Sequence, residues 1–451
     1  MSRTRRTGFP ARIAAALVLS AAVAACGTAT PTSSPAPSPT GSSTWSALPS
    51  PTWSAMPSPA SSPTASAGAT PSPAPSDSAS PLGSIVPVPS NQLAAPTSPA
   101  SHYTRDVGRS LQTAISSMRS KNSYPAISAA VVFPDGLVWS GASGTAIRMS
   151  GKGVTTKTLF AVGSVSKTFV AAIIGRLSMA GTIGLDDPLA KYVPSFPNAA
   201  NITIRELLDH TSGIQDLFEN LGKALAKNPG ATWTAQEVLA RIGPPWFPPG
   251  QGYHYSNTDF VLLGLVIEKA TGQTVAALAR SMFLTPLGLN HTYLQTEEQV
   301  RGSEAHGYMA AKAPSTEPAD NWDGNMLPFT SEATAVGPSG AFVSTASDLA
   351  VWANALYSGD MLDQATLASM VDITPTLPYK SPYHGLGFEE MSIDHQVAWG
   401  HQGHIDGFWS AMEYFPAYHV TVVVLTNADW AKSSIVQDVA TLANIAIGPA
   451  G

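Results

Sequence analysis

Cysteine is nearly absent from this chain: its 451 residues contain one, Cys26. An intramolecular disulfide is therefore excluded, and the fold must be held by its core alone. Charge is also scarce, at 12% of residues, with a formal net charge of -6. No basic run lies beyond the extreme N-terminus, so nucleic-acid binding has no electrostatic support. The apolar run from Ile13 to Ala25 is too short to span a bilayer comfortably. What the chain does have is apolar content, 44% of it, enough for one large or two ordinary domains.

The short apolar run sits between signals. Arg3, Arg5, Arg6 and Arg12 make a positive region before and around its start, and Val23-Ala24-Ala25-Cys26-Gly27 ends it. That order reads as an export signal. A cysteine directly after a small-residue cleavage site resembles the lipobox of bacterial lipoproteins, in which the cysteine receives the lipid. The expectation is a signal over residues 1–25, lipidation of Cys26, and attachment to the outer face of the cell membrane. Residues 26–100 follow as a tract of Pro, Ser, Thr and Ala. Such a segment cannot bury enough apolar surface to offset its ordering entropy. Extended as polyproline, it reaches roughly 200 Å at most.

A globular domain is expected over residues 101–451. Val107, Leu111, Ile115 and Met118 recur at helical spacing. Ala126 to Phe133 and Leu137 to Ser140 read as strands joined at the Pro134-Asp135-Gly136 turn. Residues of about 181–327 are loop-rich and helical, clearest at Leu262 to Ala270 and Val275 to Met282. Ala346 to Tyr357 is a further helix, with Ser347 or Asp348 near its start. Strands return at Phe408 to Tyr414 and His419 to Asn427, and Ile435, Val436, Val439, Leu442 and Ile445 close the chain as an amphipathic helix. The fold class is α+β: one antiparallel sheet built from both ends of the domain, flanked by a terminal helix pair, with a mainly helical inserted lobe. A cleft between lobes is a natural place for a site.

Ser164 and Lys167 stand where an extended segment gives way to a helical pattern, three apart and so on one helix face. A serine hydroxyl is a weak nucleophile until a base takes its proton. A lysine can be that base only if burial or nearby charge lowers its pKa. The first helical turn also offers free N–H groups to a developing oxyanion. No other lysine in the chain has a serine three positions before it.

Two further patterns add to this one. Tyr255-Ser256-Asn257 is the only Tyr-x-Asn in the chain. A phenol near a lysine ammonium is expected to lose its proton more easily and could shuttle it. Asn257 offers a donor and an acceptor to a substrate amide or to Lys167. His401-Gln402-Gly403 lies at the edge of a strand, where Gly403 lets a substrate backbone approach. The His404 N–H is placed to be a second oxyanion donor. His395, His401 and His404 lie close enough in sequence to suggest zinc, but no cysteine or paired carboxylate is nearby, and strand parity separates His401 from His404. No metal is expected.

The three patterns jointly resemble the serine β-lactamase and penicillin-binding protein superfamily. The similarity is greatest to its class C β-lactamase, D-Ala-D-Ala carboxypeptidase and esterase branch, over roughly residues 103–447. Leu207 to Gly213, Leu185 to Pro188, Gly340 to Thr345 and Gly385 to Gly387 share in it. The resemblance implies that Ser164 forms an acyl-enzyme, with Lys167 as base directly or through Tyr255. Tyr255 would protonate the leaving group, and Asn257, His401, Gly403 and His404 would bind substrate. No metal or organic cofactor is implied. The implied substrates are small molecules or peptidoglycan-derived peptides or esters, with β-lactams less favoured. The departure is histidine at 401, where the superfamily pattern has lysine. Histidine titrates at about pH 6.5, so recognition of a substrate carboxylate is expected to weaken between about pH 6 and 8. The alternative is a catalytically silent wall-binding or sensor domain that kept the fold.

Overall fold

The computed structural model describes residues 103–312, 315–372 and 384–448. The signal region, Cys26 and the Pro/Ser/Thr/Ala tract lie outside the described residues. The described residues form one compact unit.

The domain opens with helix α1 (Arg105–Lys121). Thr104 caps it by accepting the Val107 N–H, Asp106 sits in its first turn and Arg119 and Lys121 in its last. Leu111, Ile115 and Met118 are its buried face. Among the described residues the main sheet has seven strands. In chain order these are β1 (Ala126–Val132), β2 (Val138–Ile147), β3 (Lys152–Gly153), β4 (Glu389–Ile393), β5 (Gln396–Ile405), β6 (Phe408–Phe415) and β7 (Val420–Thr426). Their spatial order is β4-β5-β6-β7-β1-β2-β3, and each neighbouring pair is antiparallel. The late strands thus join the early ones through β7 and β1, where Ala129 pairs with Val424.

The centre of the sheet is buried on both faces. Every residue of β1 and β7 is buried. This is why Ala126–Val132 and Val420–Thr426 read as apolar runs rather than alternating ones. One face packs under α1 and the closing helix, with Leu111, Ile127, Val424 and Leu442 in a shared cluster. The other face meets the rest of the domain through Ala130, Met412 and Val423. The α+β class, the antiparallel sheet from both chain ends and the covering helix pair are all present.

On that second face runs helix α2 (Ser166–Met179), apolar nearly all round and buried over most of its length. Phe169 fixes it, stacked on Phe342 at 4.6 Å and on Trp352 at 4.5 Å. Helices α3 (Leu217–Lys227) and α4 (Asn257–Thr271) belong to the inserted lobe, α5 (Ala346–Tyr357) returns toward the sheet, and α6 (Ile435–Ile447) closes the chain. The α4 pattern starts five residues before the apolar stretch that signals it, at Asn257. α5 is capped by Thr345, whose hydroxyl accepts the Asp348 N–H. The segment expected to be helical and loop-rich also contributes Tyr293–Leu294 and Ser303–Glu304 to a small second sheet. Two-residue strands leave no periodicity to read. Among the described residues no single helix is long and apolar enough to cross a membrane.

Candidate active site

The short strand Thr158–Ala161 pairs antiparallel with Phe342–Ser344 and aims the chain at the edge of β5. There it turns sharply. Gly163 has φ +51, and a Cβ on it would lie 2.8 Å from both the N and the O of His404. Both the backbone angle and the space require glycine. A 3-10 turn, Gly163–Val165, then runs straight into α2. Ser164 sits in that turn, with Lys167 one turn on.

Lys167 is fully buried, and its ammonium makes three hydrogen bonds. Nζ donates to Ser164 Oγ at 3.0 Å, Asn257 Oδ1 at 2.6 Å and Ser339 O at 2.9 Å. Burial lowers its pKa from 10.5 to about 7, against the pull of Asp216, Glu389 and Asp259. Tyr255 reaches the same serine from the other lobe, its phenol donating to Ser164 Oγ at 2.7 Å. Lys167 Nζ lies 4.9 Å from the centre of the Tyr255 ring. The expectation that the lysine eases deprotonation of Tyr255 fails. Burial pushes the phenol well above its ordinary value, outweighing the opposing Ser164 bond. Tyr255 is a neutral donor here.

The loop carrying Tyr255 is clamped by the stretch around His210. The His210 carbonyl accepts the His254 N–H at 3.0 Å, and its Nδ1 accepts the Ser256 N–H at 3.3 Å. The ring packs 4.4 Å from that of Tyr255. Burial drives His210 well below, and its partner Asp259 well above, their ordinary values. Further along this stretch, Asp216 Oδ2 accepts from Asn257 N at 2.6 Å and Asn257 Nδ2 at 2.8 Å. Asn257 is thus held between Lys167 and Asp216.

β5 forms the remaining wall. A Cβ on Gly403 would stand 2.0 Å from Val162 O and 3.1 Å from Ser164 N. The backbone that presses on Gly403 is therefore the protein's own serine turn. Backbone N–H groups of alternate strand residues point to one edge. The Gln402 N–H points toward β4 and meets Glu389 Oε2 at 3.1 Å. The His404 N–H points the same way two residues on, past the last β4–β5 pair, Glu389 with Gly400. It faces the same region as Ser164 N.

His401 is buried, and its Nδ1–H donates to the neighbouring Gln402 carbonyl. Burial lowers its pKa to about 4 despite Glu389, whose Oε1 lies 3.7 Å away. The expected loss of a His401 charge between pH 6 and 8 is therefore overturned: the ring is neutral throughout that range. The charge beside it belongs to Glu389. Burial disfavours that carboxylate, but His401, His384 and the Gln402 N–H outweigh it and hold its pKa at about 2. His395, His401 and His404 do not converge. His395 occupies the β4–β5 turn with φ 67, and His404 faces away from His401 and bonds Asp429 at 2.9 Å.

Ser164, Lys167, Tyr255 and Asn257 thus form one contiguous network, with Gly403 and the His404 N–H against it and the His401 ring centre 6.4 Å from that of Tyr255. Asp216, Ser339 and Glu389 were not anticipated from sequence. Asp216 and Glu389 are ordinary acidic residues in no recognisable motif, and Ser339 acts through its backbone carbonyl, which no side chain signals.

Known proteins resemble this chain in sequence and fold. The chain is 30% identical over 341 residues to Penicillin-binding protein 4 of Amycolatopsis lactamdurans, covering 71% of this chain and 86% of that one. It is 36% identical over 168 residues to Esterase EstB of Burkholderia gladioli, covering 34% and 43%. The crystal structure of D-amino acid amidase from Ochrobactrum anthropi SV3, complexed with L-phenylalanine amide, superposes with a TM-score of 0.66 at 27% identity. That match covers 75% of this chain and 98% of the amidase. The Beta-lactamase family model matches residues 111–441, and with these relatives it establishes the chain as a member of the β-lactamase-related family of serine hydrolases.

Proposed function

We propose that this protein is an exported, lipid-anchored acyl hydrolase that forms an acyl-enzyme on Ser164 with amides or esters of small acyl groups, D-amino-acid derivatives among them. The observation that carries the reading is that one oxygen, Ser164 Oγ, is bonded at once by Lys167 Nζ and Tyr255 Oη. With the amine neutral, Lys167 takes the Ser164 proton as Oγ bonds to the substrate carbonyl carbon. The N–H groups of Ser164 and His404 receive the oxyanion, each worth about 3–4 kcal/mol. As the intermediate collapses, the proton stored on Lys167 reaches the departing nitrogen or oxygen by way of the Tyr255 phenol. Water then attacks the ester, Lys167 accepts its proton, and Ser164 leaves with a hydrogen restored. A neutral His401 gives a carboxylate-bearing substrate no fixed cation, which favours amides and esters over β-lactams.

The test is covalent labelling. A fluorophosphonate and a fluorescent penicillin are each offered to the wild type and to Ser164→Ala, beside turnover of a short acyl nitrophenyl ester, a D-amino-acid amide and a peptide ending in D-Ala-D-Ala. A Ser164-dependent fluorophosphonate adduct with ester or amide turnover is expected. No Ser164-dependent adduct or turnover with any probe would leave a silent binding domain. Export and anchoring rest on the sequence pattern ending at Cys26. Metabolic labelling with a fatty acid should mark the wild type and not Cys26→Ala; equal labelling of the two would remove the anchor.

A further inference from the structure

The Lys167 amine has three polar neighbours, and they differ in what they can do. Ser339 O is a carbonyl and only accepts. Asn257 presents Oδ1, which also only accepts. Ser164 Oγ can accept or donate. A neutral amine has two N–H groups and one lone pair. If both N–H groups are taken by the two obligate acceptors, the lone pair is left pointing at the serine hydroxyl. The direction of proton transfer thus depends on which end of the Asn257 amide faces Lys167. Turned over, its NH2 group would offer a proton to the lone pair and draw it away from Ser164.

Nothing in Asn257 itself decides this. The deciding contacts come from Asp216, a residue outside the three sequence patterns. Its Oδ2 accepts from both Asn257 N and Asn257 Nδ2, and its Oδ1 accepts the Phe218 N–H at the start of α3, which fixes the carboxylate in turn. The residue is nearly buried, 9% exposed. A carboxylate cannot donate, so only the observed amide orientation satisfies it. It is also the charge that acts most strongly on Lys167, ahead of Glu389 on β4 and Asp259 on α4. His210 and His401 face the amine too, both lowered to the neutral form by burial.

We propose that Asp216 is a positioning residue: by locking the Asn257 amide with its oxygen toward Lys167, it aims the lysine lone pair at the Ser164 hydroxyl. The inference rests on the reading of Lys167 as the base. Asp216 touches neither substrate nor the reacting atoms; it acts through Asn257.

Asp216→Asn tests it with little risk to the fold, since asparagine caps a helix as well as aspartate does. It replaces the carboxylate by a group that can also donate, so the Asn257 amide is free to turn. On an acyl nitrophenyl ester, kcat/KM is expected to fall about 10²-fold, the usual effect of a small misplacement in a catalytic array. The acid limb of the pH profile should move to lower pH by about one unit, because a negative charge that favoured the ammonium is gone. In an Asn257→Ala background the same substitution should cost almost nothing more, since the intermediary is already absent. An unmoved acid limb, whatever the rate, or losses that add in the double variant would overturn the proposal. Titration of the Lys167 13Cε resonance in the wild type and Asp216→Asn reads the same pKa without turnover. An inactive wild type would therefore sink the acyl-enzyme reading and still leave the Asp216 link open to refutation by an unshifted titration.

Discussion

The two faces of the main sheet treat buried ionisable groups differently. On the face toward Ser164, charge is set against charge at Lys167 and Glu389. Lys167 is brought down to about 7 while Asp216 and Glu389 pull the other way, and Glu389 is held at about 2 by its histidines. On the face under α1 and α6, burial runs with less opposition. Asp438 rises from 3.8 to about 6 through burial, which outweighs the bonds from Tyr124 and Asn122. By strand register Glu413 shares that face with Ala411 and Phe415. Among the described residues its carboxyl oxygens have no hydrogen-bond partner, and burial pushes it well above the usual range. Burial pushes Tyr255 and Glu413 well above their ordinary values, whereas at Lys167 burial opposed by nearby carboxylates leaves the amine poised near neutral pH.

The largest expected effect tests the poised face. Lys167→Ala should lower kcat/KM by on the order of 10⁴-fold. In the wild type, kcat/KM should rise about tenfold per pH unit below pH 7 and level off above it, because the neutral amine is the active form and its pKa is about 7. A profile flat from pH 5 to 8 would mean that Lys167 is not the titrating base. The same profile addresses His401. With its pKa at about 4, no loss centred between pH 6 and 8 is expected for carboxylate-bearing substrates.

A smaller effect tests the far face, on stability alone. The folded protein keeps a proton on Asp438 that the unfolded chain releases, since the folded pKa is the higher one. That contribution is complete below about pH 4 and is lost as pH rises through about 6. Asp438→Asn should therefore raise the unfolding free energy at pH 7 by about 1–3 kcal/mol and shrink the difference between pH 4 and pH 7. Urea unfolding at the two pH values measures it, and kcat/KM should stay within about twofold. An unchanged pH difference would mean that burial on this face is matched by partners after all.

Much of this layout is legible in the sequence where a long element has one buried face or two. α1, α5 and α6 announce themselves by helical spacing, and β1 and β7 by near-continuous apolar runs. The two-residue strands of the second sheet have no period to detect. At the site, Ser164 and Lys167 are local partners, so one helical turn suffices to pair them. Gly403 is recognisable as a close approach, but what approaches it, Val162 O, lies 241 positions earlier in the chain. His401 was expected to carry the titrating charge. Its exposure of 1% is a fact of packing that the motif does not contain, and that packing keeps it neutral.

By itself, the sequence determined the family, the α+β class, and the short-range geometry of a serine one turn from a lysine. The class and the geometry follow from periodicities and spacings that a chain carries wherever it folds, and the family from the resemblance of its motifs. Only the tertiary structure decided the protonation states, the orientation of the Asn257 amide and the identity of the acid that fixes it. Each depends on distances between residues tens to hundreds of positions apart, and on how much water the packed lobes exclude. A pKa is a property of a place, and the chain has no such places until β5, α2 and the Asp216 stretch close around Lys167.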